Sequence, residues 1–391
     1  MRSISHNVNS VSASGIRKFF DIVANMKDVI SLGVGEPDFV TPWRMREACI
    51  YSLEQGRTNY TSNWGLLELR KLIADHLRNM YAVEYAPENQ ILVTVGVSEA
   101  LDIALRAILD PGDEVIIFDP CYVSYAPCIT FAGGIPVKVN TYAENGFLPT
   151  AEHMRKAVSP RTKAIMVSYP SNPTGATADR QTLQNIVDLA CEADAWIISD
   201  EIYDRLTYVG QHTCVSALEG AWDRTILLNG FSKAYAMTGW RIGYACAPTE
   251  VAEAMMKIHQ YVALCAPITA QETAIEALTG GEESVQEMRH EYNLRRRLIV
   301  KRFNECGLKC GEPGGAFYAF PSVKGTGLTS EQFSERLIHE KKVVVVPGSA
   351  FGECGEGYVR AAYATSLSQI EEAMTRVADF VASLGHPVDV I

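Results

Sequence analysis

The residues best placed to do chemistry sit in and after one apolar run, Thr225–Asn229, which ends in Gly230-Phe-Ser-Lys233 and is followed by Arg241. A lysine in a semi-buried, glycine-flanked turn has its pKa lowered and can act as a nucleophilic amine. Ser232 beside it and Arg241 can hold a phosphate while the amine reacts with an aldehyde carried on the same molecule. That combination points to Schiff-base chemistry with pyridoxal 5′-phosphate. Two further apolar runs end in polar groups. Ala164–Ser168 leads into Tyr169-Pro-Ser-Asn-Pro-Thr-Gly175, and Trp196–Ser199 leads into Asp200-Glu-Ile-Tyr203. Ligands of open α/β sheets gather outside the carboxyl ends of strands, so three such ends converging is a stronger signal than any one of them.

These groups need elements to hold them. Six short apolar runs, Ile91–Val95, Val115–Phe118, Ala164–Ser168, Trp196–Ser199, Thr225–Asn229 and Ile242–Ala247, alternate with helical patterns such as Ser98–Leu109 and Asp179–Ala193. Apolar runs without polar alternation, separated by helices, predict a mainly parallel sheet covered on both faces. Composition changes near Gly280-Gly281, and a charged helical pattern follows from Glu287 to Cys306. Its Arg295-Arg296-Arg297 run reads as a solvated face. Beyond it, helices at Ser330–Glu340 and Ser368–Leu384 and short strands at Ala316–Phe320 and Val343–Val346 predict a smaller α/β domain.

At 391 residues the chain can bury two cores. Its net charge of −11 argues against non-specific nucleic-acid binding. No apolar run approaches the roughly 20 residues of a membrane span, and the first ten residues lack a hydrophobic signal region. A cytoplasmic location is therefore expected. Ten cysteines without a Cys-x-x-Cys pair read as reduced thiols, and the absence of His-Glu-x-x-His leaves no metal site expected.

Taken in order, these segments resemble the class I aminotransferases of pyridoxal-phosphate fold type I, in the prokaryotic branch of aspartate-type and aromatic-type enzymes. The resemblance spans nearly the whole chain. It also takes in Ser31-Leu-Gly-Val-Gly-Glu-Pro-Asp38, Asn59-Tyr60-Thr61, Pro313-Gly-Gly-Ala-Phe-Tyr318, Val346-Pro-Gly-Ser349 and Tyr358-Val-Arg-Ala-Ala362. It implies a large cofactor-binding domain, residues 47–283, with a mainly parallel seven-stranded sheet between helices. Residues 1–46 form an arm and part of a smaller α/β domain completed by residues 284–391.

The resemblance also implies roles. Lys233 is the lysine that holds the coenzyme's aldehyde carbon and later carries the substrate's proton. Asp200 faces the pyridine nitrogen, and Tyr203 and Asn172 donate to the ring oxygen. The phosphate falls to the amides near Val97 and Ser98, to the Ser98 and Ser232 hydroxyls and to Arg241. Tyr122 matches the stacking ring, while Arg360, with Gly35 and Asn172, binds the substrate α-carboxylate. Tyr60 reaches the phosphate site of a partner subunit, implying a homodimer with shared sites. A helical pattern around Ile16–Phe20 is expected over the substrate entrance. On spacing alone, plainer readings stay open: a helix cap for Asp200 or Ser98, a turn for Asn172 and core packing for Tyr122.

The reaction implied is a ping-pong transfer of an amino group from an L-amino acid to a 2-oxo acid such as 2-oxoglutarate. Ser98 stands where one aspartate-preferring branch places a lysine for a distal carboxylate, which favours aromatic or broad donors. An N-acetylated diamino acid donor is a further option. A carbon–sulfur β-lyase would share every cofactor residue. A pyridoxal-sensing regulator would need an added DNA-binding module, for which the chain shows no basic helix-turn-helix pattern.

Overall fold

The computed structural model describes residues 3–12, 26 and 28–385. The expected helix over residues 16–20 lies outside them. Strand β1 is Ile30–Ser31. Strands β2 to β8 (Ile91–Thr94, Glu114–Asp119, Ile135–Asn140, Thr162–Val167, Trp196–Asp200, Thr225–Gly230 and Gly243–Cys246) pair into one seven-stranded sheet. Its order is β2-β8-β7-β6-β5-β3-β4. β8 runs antiparallel to both neighbours, and the other pairings are parallel.

Successive residues of a strand point to opposite faces. Val115, Ile117, Met166 and Ile198 pack under the helices Gly96–Ile108 and Thr249–Val262. Their neighbours Ile116, Phe118, Ile165 and Ile197 pack on the other face, against Arg180–Glu192. Both faces are covered, which is why these runs carry no polar alternation. β4 does not belong to the six apolar runs. It is one of the two edge strands, it contains Pro136 and Lys138, and most of its residues are at least partly exposed. An edge strand needs no continuous apolar run and tolerates proline.

A second layer forms from short strands: β9 (Tyr318–Ala319), β10 (Val343–Val344), β11 (Val346–Pro347) and β12 (Val359–Ala362). β11, β12 and β9 form an antiparallel sheet, while β1 pairs in parallel with β10. The N-terminal strand therefore packs with the C-terminal part of the chain. Helices Glu282–Glu305, Ser330–Lys341 and Leu367–Ser383 enclose this smaller core around Phe333, Leu337, Val377 and Phe380.

Two expectations change. The long helix starts at Glu282 rather than Glu287, because Gly281 serves as its N-cap and Val285 already packs into a core. The arginine run is not a solvated face: Arg295 and Arg296 are buried, and only Arg297 is exposed. Consecutive residues are about 100° apart around a helix, so three adjacent side chains cannot all face water on a packed helix. Arg295 Nη1 donates to Asp38 Oδ1 at 2.7 Å, and Arg296 Nη1 donates to the Pro313 carbonyl at 3.1 Å.

Candidate active site

A cavity of about 640 Å³ opens at the carboxyl ends of β2, β6 and β7. Gly35, Val97, Ser98, Tyr122, Asn172, Asp200, Tyr203, Ser232, Lys233, Arg241 and Arg360 all line it. Of the residues expected at the site, only Tyr60 is absent from this lining. It is 83% exposed on the surface of the chain.

Lys233 lies in the turn after β7 and donates from Nζ to the Gly35 carbonyl at 2.7 Å. Burial lowers its pKa to about 8, with Arg360 and Arg241 acting in the same direction and Glu36 and Asp200 opposing. Asp200 is the last residue of β6 and is buried. Burial raises its pKa, while hydrogen bonds from the Tyr125 hydroxyl at 2.7 Å and the Ile202 N–H at 3.2 Å pull it back. No helix starts on Asp200; the next turn is the short 3-10 segment from Asp204. Its carboxylate is thus held as an acceptor facing the cavity rather than as a helix cap.

Tyr203 and Tyr318 share a hydrogen bond between their hydroxyls at 2.7 Å. The Tyr318 hydroxyl would lie 2.6 Å from a Cβ at position 35, so Gly35 is required for the backbone to approach. Arg360, from β12, is buried. Its Nη1 donates to Asn172 Oδ1 at 2.9 Å and its Nη2 to the Gly33 carbonyl at 2.7 Å. The guanidinium stacks 4.6 Å from the Tyr318 ring centroid and 4.8 Å from that of Phe351, and its buried Nε has no hydrogen-bond partner. Burial lowers its pKa, and the neighbouring tyrosines oppose that shift.

At the other end, the helix Gly96–Ile108 begins without a side-chain cap, its N-cap being Val95. Ser98 is therefore not a helix cap. Gly96 has φ +73°, and a Cβ there would meet Arg241 Nη2 at 2.8 Å. Arg241, itself at φ 54°, donates from Nη1 to the Thr238 carbonyl at 3.0 Å. Uncapped amides, two hydroxyls and a guanidinium make this end of the cavity suited to an anion.

Two tyrosines of the site were not among the expected residues. Tyr125 opens the helix Tyr125–Phe131 after a turn in which its N–H donates to the Tyr122 carbonyl at 3.1 Å, and the two rings meet edge to face at 5.5 Å. Tyr318 closes a segment already singled out, Pro313–Tyr318. Glu36 and Thr238 also line the cavity and are joined by a 3.2 Å hydrogen bond. All ten cysteines are free. Among the described residues no group of three His, Cys, Asp or Glu side chains could hold a metal, and no helix is long and apolar enough to cross a membrane.

The family model for aminotransferase class I and II matches residues 27–377. An aspartate aminotransferase of Pyrococcus abyssi is 47% identical over 378 residues, covering 96% of this chain and 97% of its own. The aromatic-amino-acid aminotransferase 2 of Thermococcus litoralis is 45% identical over 378 residues, with 96% and 97% covered. Among solved structures, an aromatic aminotransferase from Pyrococcus horikoshii superposes with a TM-score of 0.90 at 44% identity, over 94% of this chain and 99% of that one.

Proposed function

The chain belongs to the class I and II aminotransferases, and we propose that it holds pyridoxal 5′-phosphate in the cavity and moves amino groups between L-amino acids and 2-oxo acids. The observation that carries this reading is the meeting of Lys233, Asp200 and Arg360 on one cavity. The residues present fit the cofactor. Gly96 leaves room for Arg241 beside an uncapped helix start, and the buried Asp200 carboxylate lines the same cavity. Arg360 lines the same cavity, and its buried Nε has no hydrogen-bond partner. Held there, the cofactor supplies an aldehyde that condenses with amines and a cationic ring that takes up the electron pair left when the substrate Cα–H bond breaks.

The protein's own groups do the rest. Lys233, with a pKa near 8, supplies a neutral amine at mildly alkaline pH and takes the Cα proton as general base. Asp200, kept an acceptor by the Tyr125 and Ile202 donors, stabilises a proton on the ring nitrogen. Asn172 uses Oδ1 for Arg360, which leaves its Nδ2 to donate to the ring oxygen beside the Tyr203 hydroxyl. Val97 and Ser98 amides, the Ser98 and Ser232 hydroxyls and Arg241 cradle the phosphate, and Tyr122 covers the ring. Arg360 binds the α-carboxylate while keeping its bond to Asn172, and Gly35 lets the backbone close over it. Tyr60 adds a phosphate donor from a second copy of the chain in a homodimer.

The donor we propose is aromatic or broad in range. Lys233, Arg241 and Arg360 are the cations lining the cavity among the described residues, and each already has a role. Among the described residues lining the cavity, none is left for a second carboxylate. The relatives named for aspartate and for aromatic amino acids make both classes part of the test. Purified protein with cofactor and a panel of amino donors and 2-oxo acids should transaminate aromatic donors. Lys233→Ala should lose at least about 10³-fold in turnover while keeping its fold. Turnover near the parental rate in that variant would overturn the reading.

A further inference from the structure

The first turn of the helix Gly96–Ile108 is held in place by a side chain within it. The Glu99 carboxylate reaches back, its Oε2 accepting from the Val95 N–H at 2.6 Å. Its Oε1 is 2.7 Å from His259 Nδ1. A carboxylate of this kind only accepts, so the imidazole donates from Nδ1. His259 lies in the last turn of the helix Thr249–Val262 and is fully buried, and its Nε2 has no partner. Its carbonyl accepts from the Ala263 and Leu264 N–H groups at 2.9 and 3.0 Å, which ties off the helix end that presents the ring.

The two helices otherwise meet through apolar side chains, Leu101, Ala104 and Leu105 in one cluster with Val251, Ala252 and Met255. Apolar contact is non-directional and does not by itself fix one helix along the other. The Glu99–His259 bond does. It also sits one residue from Ser98, so any drift of the carboxylate would be felt in the turn that carries the Val97 and Ser98 amides.

We propose that His259 is a positioning residue for the anion cradle: it holds the Glu99 carboxylate on the Val95 N–H, fixing the Val95–Ser98 turn and keeping that negative group away from the bound phosphate. This inference rests on the reading that Val97, Ser98, Ser232 and Arg241 hold the cofactor phosphate. His259 does not line the cavity, and its effect passes through Glu99.

The test compares His259→Asn, whose amide nitrogen stands close to the place of Nδ1, with His259→Gln, whose amide is carried toward the Nε2 end. Cofactor-free protein is titrated with pyridoxal 5′-phosphate, and inorganic phosphate is measured as a competitor. Near-ultraviolet circular dichroism reports the fold. His259→Gln should raise the dissociation constant for the cofactor roughly tenfold and weaken phosphate competition by a similar factor, while His259→Asn stays within about threefold of the parent. If His259→Gln does not fold, Glu99→Ala cuts the same connection from the partly exposed side and should weaken cofactor binding at least as much. Unchanged affinity in the Gln variant or in Glu99→Ala, equal losses in Asn and Gln, or an Asn variant that fails to fold would each overturn the inference. Failure of the parent protein to bind the cofactor would instead overturn the functional reading, so the two failures are distinguishable.

Discussion

For Lys233, loss of water outweighs the attraction of nearby carboxylates. Desolvation dominates, and the amine's pKa drops from 10.5 to about 8. Between those values the unfolded chain binds the proton and the native chain does not, so the stability of the cofactor-free protein rises with pH across that window. Below about 8 both states carry the proton and the native state bears the full cost, on the order of 3 kcal/mol. Lys233→Met removes a group that is expensive to bury charged. The cofactor-free variant should therefore be more stable than the parent at pH 7, and its advantage should shrink as the pH approaches 10. Urea unfolding at both pH values measures this; a pH-independent difference would show that the amine does not titrate low. The type and neighbours of Lys233 were readable in the chain, because a lysine beside a serine at a strand end is a local pattern. Tyr125, which restrains Asp200 from 75 positions away, has no such pattern and becomes visible only when β6 and the helix Tyr125–Phe131 are brought together.

Elements were legible wherever a single physical demand shaped them. β3, β5, β6 and β7 are buried on both faces and read directly as apolar runs, whereas β4 serves as an edge and left no such trace. The arginine run misled for the opposite reason: its charge is visible in the sequence, but beyond Glu291 and Asn293 on the same helix its partners are distant. Arg295 binds Asp38 and stacks on Phe39 and Tyr292 at 5.0 and 5.5 Å. Asp38 ends the segment whose Gly33 and Gly35 carbonyls accept from Arg360 and Lys233. The long helix thus anchors the segment that borders the cavity beside Arg360 and Lys233. Arg295→Met keeps the stem that packs on the rings and removes the charge. It should cost about 1–2 kcal/mol, less than a fully buried pair because Asp38 is 29% exposed. The same variant should raise KM for the amino donor roughly tenfold while leaving cofactor affinity near the parental value. Equal losses in donor and cofactor binding would instead mean general destabilisation.

At the scale of the molecule, one chain leaves several large apolar side chains uncovered. Trp43 is 57% exposed, Tyr60 83%, Tyr261 85% and Val262 60%. The segment around Tyr60 is tied to the end of the Thr249–Val262 helix and to the helix Ile268–Gly280, since Asn63 Nδ2 donates to the Leu264 carbonyl at 2.8 Å and Gln271 Nε2 to Thr61 Oγ1 at 3.0 Å. Large exposed apolar side chains near one another mark interaction surfaces, and the proposed homodimer places Tyr60 in the phosphate site of the other copy. A two-fold interface makes that exchange reciprocal, which gives it a quantitative test. A Lys233→Ala chain still supplies Tyr60, and a Tyr60→Ala chain still supplies Lys233. In a hybrid of the two, one site holds both groups and the other holds neither. Equal amounts of the two chains, unfolded together and refolded, give hybrids as half of all dimers, so roughly a quarter of the parental activity should return at limiting cofactor. The homodimers of Lys233→Ala should stay inactive, and those of Tyr60→Ala should require about tenfold more cofactor. A mixture no more active than the average of its parents would show that Tyr60 serves its own chain or none.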